Sequence, residues 1–148
     1  MKREVKQISL WQDQTERKKH PRLEGIAGCE VLVIGAGMAG ILIASRLAAE
    51  GIDAEVLNIH TIKPLDEELV IASAKKTGKV VTAEEHSVIG GLGSAVCDCL
   101  CANLPTPVYK IGMQDVFGES GSAADLMVKY EIDGAGVYKQ VKEFLSKF

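Results

Sequence analysis

The residues best suited to chemistry are Gly35, Ala36, Gly37, Met38, Ala39 and Gly40, a GxGxxG run between an apolar stretch and an Ala/Leu-rich one. In a strand–turn–helix setting the first glycine makes the tight turn and the second admits a diphosphate to the backbone. The third lets helix and strand pack closely. The unpaired N–H groups at the helix start then face the phosphate. Such a loop also calls for an acid after the second strand to hold ribose hydroxyls, and the position reached by counting forward is Asn58. An amide lacks the charge-assisted strength of a carboxylate. The glycines therefore have two readings: a weak dinucleotide site (cofactor-binding residues Gly35, Ala36, Gly37, Met38, Ala39, Gly40 and Asn58), or a turn that serves the fold alone. One loop without the acid supports about −4 to −5 kcal/mol, a near-millimolar constant.

A second glycine loop, Gly90, Gly91 and Gly93, follows Glu84, Glu85 and His86. A carboxylate beside an imidazole that titrates near neutrality could do acid–base work, but the same grouping is common at ordinary surfaces, and no catalytic residue is assigned. Cys97, Cys99 and Cys101 have CxCxC spacing. On a helix the first and last share a face while the middle one points away, and zinc sites use C-x₂₋₄-C with a second pair elsewhere. Only Cys29 remains, so buried thiols in helix–sheet packing are expected and no metal. His20 and His60 have no partner evident in sequence, and Ser87, Ser94 and Ser120 form no GxSxG elbow.

The elements that would position these groups alternate strand and helix. Residues 30–34 read as a strand buried on both faces. A helix over 41–50 follows, with Gly51 placed as a C-cap. Further strands are expected over 54–59, 79–83 and 107–111, with helices over 64–76, 93–102, 123–130 and 136–147. The last carries Val137, Val141, Phe144, Leu145 and Phe148 on one stripe. This order predicts an α/β fold: a three-layer α/β/α domain with a mostly parallel, Rossmann-like sheet of 4–5 strands. The domain covers 29–148, with 1–28 a basic lead-in in which Ile8 to Trp11 could add an edge strand.

At 148 residues the chain is one domain large enough to bury a core unaided. Its 47% hydrophobic and 25% charged residues are those of a globular protein, and the net charge of −3 and 5% aromatic content speak against nucleic acid. Residues 1–28 hold seven basic and four acidic side chains, leaving −6 for the remainder. The apolar stretch over 31–45 falls short of the ~20 residues of a membrane span. It also lies behind a charged segment, unlike a secretory signal. A cytoplasmic location with reduced thiols is the expectation.

Residues 51–148 resemble the transketolase C-terminal domain, on the runs GIDAEVLNIHTIKPLD (51–66), VTAEEHSVIGGLGSAV (81–96) and, over 111–121, Ile111-Gly112 with Phe117 to Gly121. Upstream, Ser9-Leu10-Trp11, the basic lead-in and VLVIGAGMAG (31–40) resemble the amino terminus of FAD-dependent, amino-acid-oxidase-like oxidoreductases. The switch falls close to Gly51. Together the two resemblances imply a hybrid, of engineered origin, with a flavoprotein strand–helix unit over 29–50 and a transketolase-like remainder. Asn58 then stands at the acid position because that residue comes from the other parent.

Transketolases transfer two-carbon ketol units with thiamine diphosphate and a divalent metal held between two preceding domains. For a lone C-terminal domain the resemblance implies a structural, subunit-contact role, no thiamine diphosphate site and no turnover of its own. It also implies two alternatives: an FAD or adenine-nucleotide binding module, and a subunit completing a split transketolase by joining its thiamine-binding domains. The implied state is a monomer or weak homodimer, without nucleic-acid or membrane partners.

Overall fold

A computed structural model describes residues 29–35 and 38–148. The lead-in, its edge strand and His20 lie outside these residues, as do Ala36 and Gly37. The elements are β1 (Val31–Ile34), α1 (Met38–Ala49), β2 (Ala54–Leu57), α2 (Glu67–Thr77), β3 (Val80–Ser87), α3 (Leu92–Asn103), β4 (Val108–Met113), α4 (Ala123–Lys129) and α5 (Gly134–Leu145).

Four parallel strands form one sheet in the order β2-β1-β3-β4. Residue pairs Ile34–Leu57, Ile34–Thr82 and Thr82–Lys110 set the register. Because successive strand residues face opposite sides, the sheet divides the core in two. Leu32, Ile34 and Val80 pack under α2 and α3 with Val70, Ala74, Val96, Cys99 and Leu100. Val31, Val81 and Ile111 pack on the other face under α1 and α5, with Ile43, Leu47, Val137, Val141 and Phe144. The three-layer expectation is met.

Local chemistry explains the helix limits. Asp66 caps α2 by accepting from the Leu69 amide at 3.1 Å, so that helix starts at Glu67 and not at Pro64. Gly78 closes it in the left-handed conformation, φ 68°. Asp133 caps α5 by accepting from Gly136 at 3.0 Å, which moves its start upstream to Gly134. On the expected stripe Val137, Val141 and Phe144 are buried, whereas Phe148 lies past the helix, 65% exposed, with its ring edge against Phe144 at 5.3 Å.

Three sequence expectations need correction. The helix expected to begin at residue 41 begins at Met38, because the glycine run itself enters the first turn. The strand expected over 54–59 ends at Leu57. The strand expected over 79–83 continues to Ser87, since β4 runs alongside and Ser87 pairs with Met113 across a register shift. Ladder pairing outweighs the polarity of Glu84, Glu85 and His86 in that extension.

Candidate functional site at the carboxyl edge of the sheet

Chain direction reverses between β1 and β3: β1 leads outward to β2, while β3 leads the other way to β4. Ligands of open α/β sheets bind outside the carboxyl ends of the strands at such a switch point. The loops found there are those singled out from sequence, the glycine run after β1 and the Gly90–Gly93 segment after β3, with Asn58 following β2.

Gly35 leaves β1 with φ 133°, a conformation that L side chains rarely adopt, and a Cβ there would lie 2.5 Å from the Ala83 carbonyl oxygen. Gly40 sits in the first turn of α1 directly against the Gly35 carbonyl, where a Cβ would overlap the oxygen. Strand and helix thus approach as a GxGxxG turn requires at its first and third glycines. Both contacts are internal to the protein, so packing alone accounts for these two residues. Asn58 is exposed, and its amide nitrogen donates to Nε2 of His60 at 2.8 Å. The side chain expected at a ribose is therefore held by a neighbour, and His60 has a partner that sequence did not reveal. Beyond β2 these two residues line a shallow recess of about 210 Å³ with Thr61, Pro64, Asp66 and Leu69.

Glu84 has a definite task. Its carboxylate accepts from the Leu92 amide at 2.8 Å and from the Gly93 amide at 2.9 Å. The N-cap residue of α3, Gly91, has no side chain to offer, and a Cβ there would collide with the Glu84 carboxylate. A charge reaching across from β3 thus satisfies two orphan donors at the positive end of the helix. An anion-binding position exists at α3, and the protein fills it with its own carboxylate. His86 is exposed and its Nδ1 donates to the Ser87 carbonyl at 3.2 Å. Among the described residues no hydrogen bond joins Glu84 or Glu85 to His86.

Sequence reasoning missed Lys110 and Thr82. The Lys110 Nζ donates to the Val88 carbonyl at 2.9 Å, tying β4 to the loop before α3. Its stem passes so close to Gly93 that a Cβ there would lie 2.6 Å away. Thr82 is fully buried, and among the described residues its hydroxyl has no hydrogen-bond partner. The available signal was alternation: Thr82, Glu84 and Lys110 fall on the strand face that packs against α3.

Of the CxCxC cysteines, Cys99 is buried in the α2–α3 core, Cys97 is half-buried and Cys101 is exposed. Helical geometry separates them as expected, but only Cys99 is a core thiol. Burial pushes the Cys99 thiol up, with Glu67 adding to it. Burial also raises Cys97, opposed by the nearby Lys110 charge. Among the described residues no group of three or more His, Cys, Asp or Glu side chains is gathered to hold a metal.

The family model described as "Transketolase, C-terminal domain" matches residues 26–137. The 6-deoxy-6-sulfo-D-fructose transketolase subunit SqwH of a Clostridium species is 46% identical over 119 residues, covering 78% of this chain and 37% of the relative. An apulose-4-phosphate transketolase subunit of Phocaeicola vulgatus is 36% identical over 127 residues, covering 81% of this chain and 39% of the relative. A solved structure described as a split gene transketolase, inactive beta4 tetramer, superimposes with a TM-score of 0.73 at 45% identity, covering 81% of this chain and 40% of that one. The chain thus spans about two fifths of the length of these relatives. The family match starts at residue 26, so β1 and α1 lie inside it, and Gly51 is not its boundary.

Proposed function

The chain belongs to the transketolase C-terminal-domain family, and on that premise we propose that it is the C-terminal section of a split transketolase, without turnover of its own. It acts by completing an enzyme together with the thiamine-binding sections. The observation carrying this reading is the likeness, at 45–46% identity, to a transketolase subunit and to a split-gene transketolase, each spanned only in part. The geometry of the carboxyl edge supports a structural part. Glu84 caps α3 and Lys110 is bonded to Val88, so the conspicuous charged groups hold loops in place. These residues do not fit thiamine diphosphate. The anion position at α3 is filled by Glu84, and no metal-binding group of side chains accompanies it among the described residues. The test is reconstitution: the Clostridium enzyme, lacking the stretch matched here, should regain ketol transfer when this chain is added. No gain in rate would overturn the reading.

A second reading, FAD or adenine-nucleotide binding at Gly35–Gly40, would use the turn in which α1 starts at Met38 with Gly40 packed against Gly35. Asn58→Glu should then tighten binding by replacing an amide with a charged acceptor. An amide-resolved NMR titration with FAD, then ADP, to millimolar concentration checks it. Saturable shifts confined to 35–44 and around Asn58 support the reading, and no shifts overturn it.

A further inference from the structure

Helix α1 has little polar surface. Its sequence, MAGILIASRLAA, carries a single charge, Arg46. The Arg46 guanidinium lies over the Tyr138 ring of α5, 5.4 Å from its centroid, which directs that charge along the domain's own surface. Ile43 and Leu47 are fully buried in the core beneath. The opposite face presents Ile41 and Leu42, 60% and 55% exposed, followed by Ser45, Ala48 and Ala49. A helix that is apolar all round is normally buried all round. By contrast α5, packed beside it, carries Lys139, Gln140, Lys142 and Glu143 among its apolar residues.

We propose that this outer face of α1 is the surface on which the section preceding the domain in its longer relatives docks. The inference rests on the split-transketolase reading and adds which surface makes the joint. The occupant follows from where the chain enters. The Glu30 amide donates to the Asp53 carbonyl at 2.8 Å. The Ile52 amide, one residue earlier, donates to the Leu47 carbonyl of α1 at 2.9 Å. Whatever precedes residue 29 is therefore attached beside the carboxyl end of α1. The relatives continue for more than half their length beyond the matched stretch, and a section preceding the domain would begin next to this face, which is exposed among the described residues. Ser45, Ala48 and Ala49 allow close approach of another backbone, and Ile41 and Leu42 supply the side chains to be buried.

The test uses the full chain and, as probe, the portion of the Clostridium subunit that precedes its matched stretch, made separately. Binding is followed by calorimetry, and the mass of each species by sedimentation. Ile41→Glu with Leu42→Glu should weaken binding by roughly thirtyfold or more, with circular dichroism and thermal midpoint retained because both positions are exposed. Val128→Glu, at a 63% exposed apolar position on α4, should leave binding unchanged. Equal binding by all three would overturn the assignment of α1 while leaving the split-enzyme reading intact. A chain that self-associates through this face, and becomes monomeric in the double variant without change in probe binding, would assign the face to a second copy and overturn the proposal. Failure of the unaltered chain to bind the probe would overturn both.

Discussion

Replacing Glu84 with alanine removes one carboxylate and strands two amides. Leu92 and Gly93 donate to separate oxygens of this group, and the N-cap glycine cannot substitute. Hydrogen bonds to a charged group contribute about 1.5–3 kcal/mol each, and the site is only part-buried, so water recovers some of the loss. A net cost of about 2–4 kcal/mol follows, several times the few tenths of a surface substitution. For a domain of this size that lowers the thermal midpoint by roughly 6–12 °C. Glu84→Gln keeps one acceptor oxygen and loses the charge, and should fall near half that cost. Glu85→Ala, on the exposed neighbour, should stay within about 0.5 kcal/mol. Urea unfolding of the three variants, compared at unchanged slope, measures the differences. A Glu84→Ala variant within about 0.5 kcal/mol of the original protein would refute the claim that this carboxylate holds α3.

Gly40→Ala should be severely destabilising, because its Cβ would overlap the Gly35 carbonyl, whereas Gly51→Ala meets no neighbour within 4 Å and should cost only its backbone strain; thermal unfolding ranks the two. Thiol alkylation followed by mass spectrometry should modify exposed Cys101 first and Cys99 last, since Cys99 is buried and its thiol is pushed up. Equal rates would contradict the packing of α3. Lys129 holds the Glu119 carboxyl below the usual carboxylate range by hydrogen bond and charge. The tether is thus complete above the ordinary carboxylate pKa and lost as pH falls through the lowered value. Backbone order over 118–121, followed by NMR relaxation, should fall on that acid side, and Lys129→Met should lower it already at neutral pH.

The parallel sheet was legible because β1 reads as an unbroken apolar run and each crossover helix carries its own signals. Glu67 and Glu68 announce the first turn of α2, although its start is set by Asp66 as the cap and not by Pro64, and Lys75, Lys76 and Gly78 announce its end. The α5 stripe Val137, Val141 and Phe144 follows directly from helical spacing. The extension of β3 was not legible, because it depends on the pairing of Ser87 with Met113, 26 residues away and beyond a register shift. The roles of Glu84 and Lys110 were hidden for the same reason: each bonds to backbone on another element. Alternation places them on the α3 side, but neither the carboxylate's reach to Gly93 nor the ammonium's to Val88 follows from local sequence. The Gly35–Gly40 contact was predicted in kind. Its meaning was not, since a close strand–helix approach looks alike whether or not a diphosphate is bound.

The central claim, that this domain completes a larger transketolase, is tested most directly by its effect on an enzyme that lacks it. With the Clostridium enzyme deleted for the matched stretch, ketol transfer is measured before and after adding stoichiometric amounts of this chain, alongside the chain alone. The account predicts no turnover by the chain and a saturable gain on mixing. Turnover by the chain alone, or no gain at any ratio, would contradict it.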